Sequence, residues 1–432
     1  MGSRLRLGCA LSVVVFSIAG GGQALASAGL MLTSVGAKEK GMGGAGIALA
    51  RDAVAPINNP AATVFISDQF SIGATILTSN AEFWVDGAGT GPFPLAEGEH
   101  DAKERFFAVP YASVSKRLDE RWSAAFSAYG LFGLGVTYPD HARPGCPPGL
   151  PGTGPLCAGE TQIDTSALFI SPTIAYRVAP RLSVGVSPAL VFSRIEVAGL
   201  GALEAFGASS DPGHVSNKGP DEAFGYAVKL GAHYEGESLS LGLAYQTEAK
   251  MGRYSRYRGL FAEGGNVDLP AVFTAGFGLK LGGEVTLAGD ITRVFYADVP
   301  SLANRFINPL VPGKPKLGEG DATGFGWKDQ WVYHLGAEQR LNAAWTVRAG
   351  YAYADDMYRG DQALLNALAP AVMKHTITGG FTLTLADGVS VDAALSWAPA
   401  DDYRGSNALS PDQSMTAKHE ITELGLALNY AW

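Results

Sequence analysis

The chain has 432 residues, of which 47% are hydrophobic and 17% charged, and its 41 acidic residues outnumber 32 Lys and Arg for a formal charge of −9. That composition is too apolar and aromatic for a disordered chain and too acidic for a nucleic-acid binder, and its glycines lack the three-residue period of collagen. The length suits two or three soluble domains or one large barrel.

In chain order, residues 1–26 read as a signal peptide. Arg4 and Arg6 precede the apolar run Leu11–Ile18, and Ala24-Leu25-Ala26 is an A-x-A cleavage site that would make Ser27 the mature start. The run is far shorter than the ~20 residues of a spanning helix. Cys9 falls within this segment and leaves Cys146 and Cys157 in a Pro/Gly-rich stretch. An exported chain meets an oxidising compartment, so a loop disulfide is expected there, the alternative being two free thiols. Only His141 is near them, too few ligands for a metal, so no metal site is expected.

Residues 27–68 do not alternate. Gly41-Met42-Gly43-Gly44-Ala45-Gly46 matches G-x-G-x-x-G, but charged residues precede it and no βαβ pattern follows, so no cofactor is expected. Small residues packed against a wall are the better reading. Asn59 is a good N-cap and Pro60 suits a first helical position, which predicts a helix starting near Ala61. This segment is too long for a simple tail and is expected inside the lumen of a barrel, as a plug.

From residue 69 the period is two. Ile377, Gly379, Phe381, Leu383 and Leu385 alternate with Thr376, Thr378, Gly380, Thr382 and Thr384, and Leu424, Leu426, Leu428, Tyr430 and Trp432 share one face at the C-terminus. The pattern predicts about 14 strands, at 69–78, 104–118, 121–137, 161–178, 181–197, 222–235, 238–248, 270–281, 284–299, 329–341, 344–356, 375–386, 389–399 and 418–432. Tight turns such as Leu118-Asp119-Glu120 and Ala386-Asp387-Gly388 alternate with long connections, approximately 79–103, 138–160, 198–221, 249–269, 300–328, 357–374 and 400–417. An up-and-down sheet then has every long loop at one end, as in outer-membrane barrels. The expected class is all-β, a transmembrane antiparallel barrel over 69–432 with an N-terminal hatch at 27–68.

Asn59-Pro60-Ala61 after the Gly-rich segment, Val267-Asp268-Leu269-Pro270-Ala271, Trp327-Lys328-Asp329, Leu335-Gly336-Ala337-Glu338 and Arg348-Ala349-Gly350-Tyr351 stand in an order and spacing that resembles the FadL/TodX family of outer-membrane transport proteins. The resemblance covers nearly the whole mature chain. It implies a 14-stranded barrel with a hatch carrying Asn59, Pro60 and Ala61, substrate capture by extracellular loops, an apolar pocket, and exit beside an inward kink of the third strand. Gly130, Gly133 and Gly135 in the upper half of that strand mark where the kink is expected, the alternative being relief of crowding in the wall. Leu30, Met31 and Leu32 are the hatch residues expected to touch substrate.

The function so implied is passive uptake of hydrophobic compounds, either long-chain fatty acids or hydrocarbons. A carboxylate would want a cation, for which Arg253, Arg256, Arg258, Arg305, Lys314 and Lys316 are loop candidates, each more simply read as meeting water or lipopolysaccharide phosphate. Enzyme activity is not expected, because His100, His141, His214, His233, His334, His375 and His419 are scattered and form no motif. Expected partners are a hydrophobic small molecule, membrane lipid and lipopolysaccharide, without nucleic acid, around a monomer. The rivals are an open porin, which would lack the plug, and a FadL-like barrel that shuttles or scaffolds secreted proteins.

Overall fold

A computed structural model describes residues 30–91, 94–143, 145–322, 324–371 and 373–432. The expected signal peptide and Ser27 lie outside these residues. Fourteen strands form the wall: β1 Gln69–Asp86, β2 Arg105–Arg117, β3 Trp122–Tyr138, β4 Thr161–Ala179, β5 Leu182–Ala198, β6 Asp221–Glu235, β7 Leu239–Gln246, β8 Val272–Leu281, β9 Val285–Val294, β10 Gln330–Arg340, β11 Trp345–Ala354, β12 His375–Ala386, β13 Val389–Asn407 and β14 Ser410–Ala431. Each pairs antiparallel with its neighbours in sequence, and β14 pairs with β1 from Gln69↔Ala431 to Asp86↔Ser414, closing the barrel. Closure pairs the first strand with the last, as a sheet in hydrocarbon requires. Among the described residues no helix is long and apolar enough to cross a membrane.

The alternation is resolved in an inverted sense. Leu424, Leu426, Leu428, Tyr430 and Trp432 face outward and are exposed, while Glu423 and Asn429 on the opposite face are buried. Likewise Ile377, Phe381 and Leu385 point out, and Thr376, Thr378 and Thr382 point in. A soluble sandwich would bury the first set. Exposing it places these side chains in lipid and leaves a polar lumen.

Two connections differ from expectation. The stretch 400–417 is not a loop: β13 and β14 continue as a hairpin and turn at Ala408–Leu409. β1 likewise runs to Asp86 and pairs with a short strand, Gly98–Asp101. Both extensions rise above the apolar band, where the outward face carries Glu82, Asp402 and Arg404 rather than aliphatic residues. The apolar alternation that marks a strand in lipid is absent there, while backbone pairing persists.

Residues 30–66 fill the lumen and are almost wholly buried. Short helices α1 (Ala37–Lys40) and α2 (Ala55–Asn58) and the 3₁₀ helix Pro60–Phe65 shape this hatch. Gly43 has φ +67° and its amide donates to Thr378 Oγ1 at 2.8 Å on the wall. A Cβ on Gly350, opposite, would collide with the Met42–Gly43 backbone, so both surfaces are stripped of side chains where they meet.

Candidate functional site

The hatch is bound to the wall by charge. Lys38 pairs with Asp52 at 2.9 Å and lies 3.8 Å from Asp392 of β13. Lys40 pairs with Glu423 of β14, both fully buried. Arg51 meets Glu39 and Glu338 of β10, each at 3.0 Å, and Arg348 of β11 meets the same Glu338 at 2.6 Å. Asp290 of β9 accepts from the amides of Gly46 and Ile47 at 2.7 and 3.0 Å. Burial pushes the Glu39 carboxyl up, against the attraction of Arg51. Burial also opposes the Asp52 charge, but Lys38, the Val54 amide and Arg51 outweigh it and hold Asp52 below its ordinary value.

Asn59 performs two tasks. Its Oδ1 accepts from Ala61 N at 3.1 Å and caps the 3₁₀ helix, while its Nδ2 donates to Ile47 O and to Ala232 O of β6 at 3.1 and 3.0 Å. Pro60 and Ala61 sit against Gly185 and Gly231, where a wall Cβ would strike them. Ser183 Oγ donates to Ala61 O at 2.7 Å. The motif thus ties one end of the hatch to β5 and β6.

The other end meets β3. Strand β2 pairs with β3 only from Tyr111↔Tyr129 down to Arg117↔Ser123. Above that, β2 stays on β1 and β3 stays on β4, and their facing edges separate. Lys103 N donates to Thr137 O at 2.8 Å and bounds the gap at its top. The register of β3 on β4 shifts between Gly130 and Phe132, so Leu131 is bulged, and from Leu131 to Tyr138 every residue is buried. The freed edge turns inward to take the hatch: Leu32 N donates to Leu131 O at 3.1 Å, and Gly133 N to Leu30 O at 2.9 Å. Gly130 therefore flanks the bulge, Gly133 pairs with the hatch, and Gly135 sits in regular register with Asp164 of β4.

The Leu30–Leu32 ribbon has cavities on both of its faces. One, of about 40 Å³, is walled by Leu30, Phe132, Leu134, Ile163, Phe261 and Phe325 and lies beside the gap. It shares Ile163, Phe261 and Phe325 with an apolar cavity of about 30 Å³ beneath the loops, walled also by Leu203, Phe306 and Leu368. On the other face of the ribbon, Met31, Leu32 and Leu131 line a larger, more polar cavity of about 110 Å³. The three hatch residues singled out in the sequence thus divide between the two sides.

None of the candidate loop cations lines either apolar cavity. Arg305 pairs with Asp361, Arg258 with Asp211, and Arg256 donates to Lys218 O at 2.9 Å; Arg253, Lys314 and Lys316 are exposed. Cys146 and Cys157 form a disulfide with a Cα–Cα distance of 5.7 Å and line none of these cavities. His233 and His334 are buried on the lumen side. Phe261, Leu302, Phe306 and Phe325 had no periodic signal. Their cue is apolar residues in connections too long to be tight turns, where water-exposed segments would be polar. Tyr296, whose hydroxyl accepts from Leu30 N at 3.1 Å, was equally unmarked.

The family model for outer membrane protein transport proteins (OMPP1/FadL/TodX) matches residues 17–431. The chain belongs to this family. Its barrel is an outer-membrane fold, of a family of hydrophobic-compound transporters rather than enzymes. Among solved structures it resembles the Pseudomonas putida toluene transporter TodX, at 19% identity over 93% of this chain and 99% of that one, with a TM-score of 0.68. A Pseudomonas aeruginosa FadL homologue aligns at 17% identity over 94% and 100%, with a TM-score of 0.66. The Ralstonia pickettii toluene transporter TbuX aligns at 19% over 93% and 99%, with a TM-score of 0.63. No curated protein sequence matches the chain. At these identities the family's barrel is shared while cavity-lining side chains are free to differ, so the site rests on this chain's own residues.

Proposed function

We propose that this barrel is a passive uptake channel in which hydrophobic compounds enter the apolar loop cavity, pass to the cavity beside Leu30 and Phe132, and leave sideways through the gap between β2 and β3. The observation that carries this reading is the parting of β2 from β3 above Tyr111 and Tyr129, beside a cavity lined by Leu30, Phe132 and Leu134. Two further features support it. Burial of apolar surface, at roughly 25 cal/mol per Å², gives a hydrophobic solute a site that a water-filled pore lacks. The hatch fills the lumen below, which favours a lateral path over a straight one. Toluene, named for two of the similar structures, is a reasonable first solute.

The gap itself supplies the test. A Cβ built on Gly130 lies 3.8 Å from Val109 Cβ, the mean separation in disulfides. In the double variant Val109→Cys/Gly130→Cys, oxidation staples β2 to β3 at the foot of the gap. Uptake of radiolabelled toluene into cells carrying the oxidised variant should fall well below wild type and recover on reduction. Wild type treated with the same reductant controls for the native disulfide. Unchanged uptake with the staple closed refutes lateral exit.

A further inference from the structure

Ile163, Phe261 and Phe325 line both apolar cavities, and the two cavities stay separate, so these side chains form the partition between them. The chambers measure about 30 and 40 Å³. One water needs roughly 10–15 Å³ of such space, so each holds only a small solute. A hydrocarbon that goes from the loops to the gap has to cross the partition.

Each of its members is held differently. Ile163 projects from β4, a wall strand paired on both sides at this residue, with Val136 and Val197. Phe325 is fixed through its backbone: its N–H donates to Leu302 O at 3.1 Å, and its carbonyl accepts from Asn366 Nδ2 at 2.8 Å. Asn366 is fully buried and its Oδ1 accepts from the indole N–H of Trp327 at 2.7 Å, while Trp327 N donates to the same Leu302 O at 3.0 Å. The Phe325 and Trp327 rings lie 5.2 Å apart, within the favourable range for aromatic pairs. This clamp joins the β9–β10 and β11–β12 connections and engages main-chain atoms of Phe325, so it does not depend on the phenyl ring. Phe261 heads a turn in which Glu263, Gly264 and Gly265 have φ of +55°, +71° and +96°, and Gly265 N returns to Phe261 O at 3.2 Å. Glu263 has a Cβ and still adopts the left-handed region, a conformation that persists only where the surroundings impose it.

We propose that Ile163, Phe261 and Phe325 are a size filter on the path to the gap. They pass a flat single ring edge-on between the phenyl groups and hold back a solute with a bulky substituent. A flat ring keeps favourable aromatic geometry with each phenylalanine as it passes. A bulky one has to push aside side chains whose backbones are pinned by the clamp, the turn and the wall. This assignment rests on the channel reading above and names the residues that set its size limit.

Toluene and tert-butylbenzene, which carries a bulkier alkyl group on the same ring, test it. Both are supplied as radiolabelled solutes to cells with each barrel, and uptake by cells without the barrel is subtracted. Wild type should favour toluene. Phe325→Ala should raise the ratio of tert-butylbenzene to toluene uptake by roughly tenfold, the low end of what one methylene of pocket space discriminates. Ile163→Ala opens the partition from the wall, away from the loop clamp, and should raise the same ratio. A barrel that is only poorly inserted lowers both uptakes together and cannot produce that rise. Toluene uptake with an unchanged ratio in either variant overturns the filter and leaves the channel intact, whereas wild type that takes up neither solute overturns the channel reading itself.

Discussion

The Lys40–Glu423 pair is a fully buried fixed point of the hatch, and removing one half of it should loosen the plug. Lys40 is 0% and Glu423 1% exposed, so water cannot replace a lost partner. Glu423 Oε1 has no hydrogen-bond partner, and Lys40 is the group that holds Oε2. Lys40→Met keeps the aliphatic stem that packs over Gly425 and deletes the charge. The carboxylate then stays buried and unpaired, which costs about 3–5 kcal/mol. At 1.4 kcal/mol per factor of ten, that shifts the docked–undocked equilibrium of α1 by about a hundredfold to several thousandfold. Undocking removes the carboxylate's burial and relieves the cost. The assay is single-channel conductance in planar bilayers, where wild type should be closed and Lys40→Met should show frequent openings. The double variant Lys40→Met/Glu423→Leu separates pairing from damage: replacing both charges with apolar groups leaves nothing unsatisfied and should restore closure. If Lys40→Met is as closed as wild type, the pair is not what seats the hatch. If the double variant opens as freely as the single one, the cause is lost packing, and the electrostatic reasoning fails.

The same hatch should respond to acid. Asp52 has its carboxyl held low by Lys38, so its contribution is full above the ordinary value of 3.8 and is lost as pH falls through the lower folded value. Asp52's share of hatch docking, read as single-channel opening, should hold from neutral pH to about pH 4 and be lost only below; Asp52→Asn should loosen the hatch throughout that range, and a variant with an unchanged profile would contradict this. Leu30→Asn should weaken binding of a neutral hydrocarbon by roughly tenfold, the effect of losing about 1.5 kcal/mol of apolar burial, as read by titration; equal affinity would remove Leu30 from the site. Reduction of Cys146–Cys157 should expose its loop to protease and leave the heat-modifiable gel mobility of the barrel unchanged. The disulfide spans 11 positions within one connection and restrains that loop alone, with about 3 kcal/mol of loop-closure entropy.

How much of this was legible follows from where water stops. Strand by strand, the lipid-facing residues announce themselves: a barrel in hydrocarbon must alternate Leu424, Leu426 and Leu428 with polar residues, and all fourteen strands carry that signal. Above the membrane the outward face no longer needs to be apolar, so the extended β13–β14 hairpin carries no such mark. The site is harder still, because it depends on departures from alternation. Leu131-Phe132-Gly133-Leu134-Gly135-Val136 breaks the period of two, and its glycines hinted at a kink, yet only long-range pairing reveals that the freed edge is taken by Leu30–Leu32. The hatch charges are opaque for a different reason. Lys40 and Glu423 are 383 positions apart, and each alone reads as an ordinary surface charge. Taken together, the hatch contributes Lys38, Lys40 and Arg51 against Glu39 and Asp52, while the wall contributes Glu338, Asp392 and Glu423 against Arg348. A hatch with one surplus positive charge thus sits in a wall with two surplus negative ones, so attraction between them seats the plug at a definite depth. By contrast the apolar end at Leu30–Leu32 is joined to β3 by two backbone hydrogen bonds and no charge. Motion should therefore begin at that end, where the two cavities and the gap converge, while the charged end stays anchored.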